Sequence, residues 1–529
     1  MSDWTSGYMA EIDYTHDFFH DLAPSHLALA AVSKGQRPPF DRERPQYCEL
    51  GCGQGFSANL LAAANPHIDF HAMDFNPSHI ANATSLAQAA NLPNMRFHEC
   101  SFEEFDDVAD LPSHFDVIVL HGVMSWVSQE NRKHIVSFLS KRLRPGGMVY
   151  LSYNALAGWT ASLPLRRLLL DHANRNLAPI SQRIEDALCH AERVAQSGAK
   201  LFSENPAAAA RLKSLRGKSA RYLAHELFNK DWTPFHFGDL TDELSQAKLQ
   251  FVGSSSFFEQ VEDICLTPEQ SALLSLESDI AQRESLRDVM VNEQFRSDLF
   301  VKGTQGFTER GAIGAWFDSS LALTQPYGGG PLKLKWRLGE IALEQQQYAP
   351  LLEALKSTPM TVKALLERGV FGAMTWQEIS RMLRILIGAQ YISPALPQAL
   401  RSASAEQCQR FNQEICKRAE DSEELQFLAS PVTGSGIAAD RLEQLFLLAQ
   451  SEGLTTPEDW AALTWRILAP QGQRLKSQGR VLESDEENLA FLRARAHSFA
   501  ARRLPLFEML GLTLPVSASQ FAQDCLEVA

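Results

Sequence analysis

Apolar and polar positions alternate in two different rhythms along the chain. From Pro45 to about Asn154, short apolar runs are separated by helical patterns. That alternation predicts βαβ units around a parallel sheet. The expected strands are Tyr47–Leu50, Ile68–Met73, Met95–Glu99, Phe115–Leu120 and Met148–Tyr153. Phe115–Leu120 is almost wholly apolar, as suits a strand buried on both faces. The expected helices are Phe56–Ala64, Pro77–Ala90 and Asn131–Leu143. Asn76 and Pro77 offer a cap and first turn to the second helix, and Pro145-Gly146-Gly147 stops the third.

From Gly158 to about Phe228 the pattern turns helical and charged, with breaks at Ala155–Thr160 and Asn205-Pro206. Phe237–Lys248 then reads as a helix, and Leu249–Gly253 and Phe295–Val301 read as strands that finish the same sheet. The helical stretch becomes an insertion, placed to cover the strand ends as a lid. Tyr327-Gly328-Gly329-Gly330-Pro331 is the linker candidate. Beyond it, Thr361–Arg368, Thr375–Ala389 and Tyr391–Pro394 follow a helix–turn–helix–strand order, as in winged-helix modules. Glu406 to about Leu512 reads as helices with polar loops. The expected fold class is α/β. A Rossmann-like core with an N-terminal cap spans 1–155 and a helical lid insertion spans 156–232. A segment completing the sheet spans 233–305, and a mainly α C-terminal region spans 330–529.

Composition narrows the function only a little. At roughly 150 residues per domain, 529 residues allow several domains, and 45% hydrophobic content is ordinary for a globular chain. A net charge of −14 disfavours a nucleic-acid partner, because duplex binders carry a basic surface. The same charge suits a basic substrate, although acidity is also common in plain soluble enzymes. The cysteines show no C-x-x-C spacing and no His-rich neighbourhood. Reduced thiols in a cytoplasmic protein, without a metal site, are expected. Met1–Tyr14 lacks a basic start followed by an apolar stretch, so no signal peptide is expected. No apolar run reaches about 18 residues, so no membrane insertion is expected.

Chemistry is expected at the carboxyl ends of the strands, where open parallel sheets bind ligands. That rim collects Glu49 to Gly55, Asp74, Cys100 to Phe102, and His121 to Trp126. Gly51, Gly53 and Gly55 form G-x-G-x-G rather than the G-x-G-x-x-G of dinucleotide sites. Three residues without Cβ let a ligand lie against the backbone. S-adenosylmethionine fits that description, having no phosphate to place on a helix N-terminus. Glu49 can accept a bond from its amino end. Asp74, about 20 residues past the glycines, can accept both ribose hydroxyls. Phe75 can cover the adenine.

Cys48 to Asp74 resembles motifs one and two of class I S-adenosylmethionine-dependent methyltransferases. Leu143-Arg144-Pro145-Gly146-Gly147 resembles the turn before the fifth strand of that fold. Narrower likenesses lie in Trp4-Thr5-Ser6-Gly7-Tyr8, Leu120 to Val127, Leu151 to Trp159, Tyr222 to Glu226 and Asp231 to Phe235. These resemble bacterial methyltransferases with a methyltransferase regulatory domain, a group that includes the rickettsial outer-membrane-protein lysine methyltransferases. The resemblance covers about the first 300 residues. Two departures stand out. Cys100 and Ser101 replace the acidic residue that often holds the adenine amine, leaving Ser101 or the Phe102 backbone to serve. Ala157 stands where the motif has proline.

The resemblance implies methyl transfer to a protein lysine. A lysine of pKa about 10.4 is charged at neutral pH. A sulfonium about 4 Å away would oppose that charge by about 4 kcal/mol at an effective dielectric near 20, or roughly three pKa units. Cofactor binding thus favours the neutral amine without a strong base. Tyr153 and Asn154 are expected to orient the amine, and His121 to accept a proton or bond the cofactor's carboxylate. Trp126, Trp159 and Trp232 are the substrate-contact candidates, and Tyr8 is expected to fold over the cofactor. His225 and Glu226 read preferentially as a solvated pair. The alternatives are a small-molecule acceptor, or a regulatory protein that holds S-adenosylmethionine without turnover. A homodimer is compatible with either.

Overall fold

The computed structural model describes residues 14–175 and 177–516. Its centre is a seven-stranded sheet made of β1 (Gln46–Leu50), β2 (Asp69–Asp74), β3 (Met95–Glu99), β4 (Phe115–Leu120), β5 (Leu143–Asn154), β6 (Leu249–Ser254) and β7 (Phe295–Lys302). The spatial order is β3-β2-β1-β4-β5-β7-β6. β1 to β5 pair in parallel, and β7 runs antiparallel between β5 and β6. The strand order reverses between β1 and β4, which opens a crevice at their carboxyl ends.

Both faces of the sheet are buried, and strand alternation divides them. Met148 and Tyr150 face one core, whereas Val149, Leu151 and Tyr153 face the other. The helix Phe56–Ala64 is buried at every position. Its small side chains admit a second layer, the long helix Gln398–Arg418. Phe56 stacks on Phe411 with ring centroids 6.4 Å apart, and Gln407 Nε2 donates to the Ala62 carbonyl at 2.9 Å. The C-terminal region therefore shares the core of the sheet domain.

In that region, helices Val362–Glu367 and Trp376–Gly388 and strand Ile392–Ala395 stand where the pattern places them. The strand joins Ser320–Leu323 and Met360–Thr361 in a small sheet. One expectation needs correction. The stretch after Glu406 is not helical throughout: Phe427–Ser430 and Ser435–Ala438 form a hairpin. Ser430 Oγ accepts from the Val432 and Thr433 amides at 3.2 and 3.3 Å, and Gly434 has a φ of +65°. A hydroxyl-stabilised turn plus a left-handed glycine stops a helix and starts a hairpin.

The insertion between β5 and β6 is a bundle with its own apolar core, including Leu165, Ile184, Leu188 and Leu223. The bundle helix Ala220–Leu227 is capped by Ser219. Arg221 bonds Glu424 at 2.8 Å, so the bundle is tied to the C-terminal region. No helix among the described residues is long and apolar enough to cross a membrane.

Candidate active site

The turn after β1 holds three glycines with φ of +73°, +53° and +65° at Gly51, Gly53 and Gly55. Each faces a neighbour that a Cβ would meet. The distances are 2.8 Å to Val123 Cγ2 from Gly51, 3.2 Å to Tyr14 Cδ1 from Gly53, and 2.5 Å to Ala83 Cβ from Gly55. Asp74 ends β2 and clasps this turn. Its Oδ2 accepts from the Gly53 amide at 2.9 Å. Its Oδ1 accepts from the Asn76 amide at 2.9 Å and lies 3.3 Å from His79 Nδ1. The carboxylate is thereby fixed at the mouth of the crevice, and two oxygens keep acceptor capacity for a ribose.

A cleft of about 870 Å³ runs over these strand ends. Glu49, the three glycines, Asp74, Phe75 and Phe102 line it, and His121 and Trp126 close the β4 side. Glu49 is buried, and its Oε2 has no hydrogen-bond partner among the described residues. Burial, with the Asp74 charge adding to it, pushes its pKa up to about 8. A buried acid lacking a partner fits a ligand that brings an ammonium group. The residues present therefore fit S-adenosylmethionine: Glu49 for its amine, Asp74 for its ribose, Phe75 and Phe102 beside its adenine.

His121 stacks on Phe19 at 3.8 Å, and its Nδ1 lies 3.0 Å from the Tyr150 hydroxyl and 3.2 Å from Ser152 Oγ. Burial lowers its pKa to about 4, with Asp21 opposing the shift. The imidazole is neutral at pH 7, a hydrogen-bonding wall group and a poor base.

A second void of about 710 Å³ adjoins the first. The two share Tyr14, Thr15, Asp17, Phe19, His121, Gly122 and Trp126; the second adds Tyr222, His225, Glu226 and Phe295. Tyr14 bridges them, lying over Gly53 and meeting His225 edge-on at 4.9 Å.

Several expected site residues are elsewhere. Tyr153 lies on the far face of the sheet, where its hydroxyl donates to Asp298 Oδ2 at 2.7 Å. Asp298 also pairs with Arg296, which bonds Asp288 and Glu284. Tyr153 thus belongs to a buried ion cluster and lines neither void. Asn154 lines neither void; its amide donates to Ser125 Oγ at 2.9 Å. Ser101 turns to Glu104 Oε2, donating from its amide at 2.9 Å and its hydroxyl at 2.8 Å. Phe102 lines the cleft in its place. Trp159 and Trp232 pack edge-on at 5.0 Å inside the insertion, with Arg211 over one ring and Arg166 over the other. They are core residues of the insertion. Tyr8 lies outside the described residues, and Tyr14 takes the covering position expected of it. His225 is buried and Glu226 half-buried at the second void, so they are not a solvated pair.

The sheet order, the glycine turn clasped by an acidic strand end, and the orphaned Glu49 define a class I S-adenosylmethionine-dependent methyltransferase. Residues 42–163 match the family described as a methyltransferase domain, and residues 219–302 match a predicted methyltransferase regulatory domain. The chain belongs to the class I methyltransferases that carry this regulatory domain. It is an enzyme of that class, with S-adenosylmethionine as cofactor. The uncharacterized protein sll1526 of Synechocystis sp. is 39% identical over 510 residues, covering 96% of this chain and all of that one. The uncharacterized protein RP789 of Rickettsia prowazekii is 29% identical over 293 residues, covering 55% of this chain and 51% of that one. Among solved structures, PKMT2 of Rickettsia typhi in complex with AdoHcy aligns with a TM-score of 0.69 at 19% identity, covering 94% of this chain and 99% of that one.

Proposed function

We propose that the chain methylates the side-chain amine of lysine in a protein substrate. The observation that carries this reading is the second void, which adjoins the cofactor cleft at the β4 end of the rim, beside His121 and Trp126. Asp74 ends β2, Glu49 lies on β1 and His121 follows β4, and of these three only His121 also lines the second void. The void is walled by aromatic rings and two carboxylates, Asp17 and Glu226. Tyr222 and Phe295 are each 41% exposed at its margin, so the void opens to solvent past side chains. Such a channel suits a long, flexible, cation-tipped side chain presented from a protein surface. The net charge of −14 favours basic partners in the same sense. The motif likeness to rickettsial outer-membrane-protein lysine methyltransferases agrees with it.

When bound, S-adenosylmethionine supplies an electrophilic methyl group. The protein's own part is to hold, orient and exclude water. Asp74 and Glu49 fix the cofactor's two polar ends, and Tyr14 and Phe19 close the cleft above the glycine turn. His121, neutral and tied to Tyr150 and Ser152, offers a fixed hydrogen-bonding edge at the junction. The three-strand sheet with its helix pair near Thr361–Ala395 supports a winged-helix reading of that module.

Radiolabel transfer from methyl-tritiated cofactor to fractionated bacterial proteins and to a metabolite extract, followed by mass spectrometry, tests the acceptor. Label on lysine Nζ supports the proposal. Label confined to small molecules supports the small-molecule alternative and ends the protein-lysine reading.

A further inference from the structure

The second void has one feature that methyl transfer as such does not require. Glu226 lines, from the helix Ala220–Leu227, a chamber rich in rings, whose other carboxylate, Asp17, already accepts from Thr15 Oγ1 at 2.5 Å. The Glu226 carboxylate makes no ion pair or hydrogen bond among the described residues. The cations whose fields reach it, Arg211 and Arg166, are turned to other work. Arg166 Nη2 donates to the Asn229 carbonyl at 2.6 Å and its guanidinium lies 4.5 Å over Trp232; Arg211 lies 4.3 Å over Trp159. Each guanidinium lies against a ring of the insertion and keeps a buried Nε without a hydrogen-bond partner, and neither forms an ion pair with Glu226 among the described residues. A half-buried carboxylate left without a partner in an aromatic chamber is costly unless a ligand completes it.

The rings tell what that ligand is. Tyr14, Phe19, Trp126, Tyr222 and Phe295 surround the chamber. Aromatic faces attract a cation, and a carboxylate without an ion pair among them gives a primary ammonium both an ion pair and a π lining. An anionic or neutral acceptor would find neither. We propose that this chamber is the acceptor-amine site and that Glu226 is the group that receives the incoming alkylammonium and takes its proton. The inference rests on the N-methyltransferase reading above and adds its recognition group.

The balance of the step is simple. The ammonium gives one proton to the Glu226 carboxylate, and from there it leaves to solvent past Tyr222. The freed lone pair forms the N–C bond as the methyl C–S bond breaks, and that bonding pair returns to sulfur. No further reactant is needed. Burial pushes the Glu226 pKa up to about 7, against the pull of Arg211 and Arg166, so both of its forms are accessible near neutrality.

The test uses binding and needs no known acceptor. The probes are S-adenosylhomocysteine and derivatives of it whose sulfur position carries alkylamine tethers of graded length, titrated into the full chain by calorimetry. The best tether is expected to bind about tenfold or more tighter than S-adenosylhomocysteine. Glu226→Gln is expected to erase that margin and leave S-adenosylhomocysteine affinity unchanged. Glu226→Asp, with a charge on a shorter stem, is expected to retain part of it. If no tether improves on S-adenosylhomocysteine, or if the margin survives Glu226→Gln, the assignment of Glu226 is overturned. If Glu226→Gln fails to bind S-adenosylhomocysteine at all, Glu226→Asp decides: a reduced margin supports the role and an unchanged one removes it. Failure of wild-type protein to bind S-adenosylhomocysteine would instead strike the cofactor reading.

Discussion

The two ends of the cleft are built by opposite means. At the cofactor end, the polar contacts come from turns at the ends of β1 and β2, and backbone amides fix the Asp74 carboxylate. At the proposed acceptor end, the walls are side chains from four distant stretches: Tyr14 to Phe19, His121 to Trp126, Tyr222 to Glu226, and Phe295. The first kind of site is local and written in short motifs. The second exists only once the insertion has folded over the sheet. Cofactor binding should therefore depend on the geometry of a few positions, and acceptor recognition, on the proposed reading, on how the insertion docks.

The sharpest way to break the cofactor end is Gly55→Val. A Cβ there meets Ala83 Cβ at 2.5 Å on a backbone of φ +65°. Left-handed strain and overpacking together cost about 2–5 kcal/mol, to be read by denaturant unfolding with cofactor affinity lost alongside. Asp74→Ala comes next. Removing a charged hydrogen-bond partner should weaken cofactor binding by about 1.5–3 kcal/mol, measured by calorimetry. Wild-type affinity in that variant would refute the pocket assignment.

Tyr153→Phe separates the two faces of the sheet. It removes the donor to Asp298 within the ion cluster, so a stability loss of about 1–3 kcal/mol is expected. Cofactor affinity should be unchanged, because Tyr153 lines neither void. The smallest expected effect concerns Glu49. Its pKa of about 8 means that it is largely protonated at pH 7 in the free protein. An arriving ammonium favours the carboxylate, so binding at pH 7 should release close to one proton. Calorimetry in buffers of different ionisation enthalpy reads this, and Glu49→Gln should abolish it. The sign for stability follows from the raised pKa. In the cofactor-free protein the Glu49 contribution is complete below its unfolded value near 4.5 and is lost as pH rises through about 8.

Much of the sheet was legible in the sequence because its strands are short apolar runs between glycine or proline breaks. β1 to β5 and the helices between them lie within a residue or two of their expected ends, apart from the amino end of β5. Glu49, the glycines and Asp74 were legible because a turn needing positive φ and a carboxylate at a strand end leave local traces. Tyr153 misled for a reason that alternation can supply. Tyr150 and Ser152 face His121, so Tyr153 one residue on must face the opposite core. Trp159 and Trp232 misled because a tryptophan packing inside a helical insertion looks, in sequence, like one lining a site. Glu226 lay in a recognisable motif but read as solvated, and Tyr14 left no signal, since their place at the second void is set by the docking of the helix Ala220–Leu227 against the N-terminal segment. The hairpin at Phe427–Ala438 was hidden in a helical stretch, although Thr433-Gly434 marked its turn.

The central claim is that one cleft is divided at His121 and Trp126 into a cofactor half and an acceptor half. A crystal structure of the full chain with S-adenosylhomocysteine tests it most directly. The account predicts ribose hydroxyls on Asp74, the amine on Glu49, and the sulfur facing the chamber of Tyr222 and Glu226. A sulfur directed away from that chamber, or a ligand bound without Asp74, would contradict it.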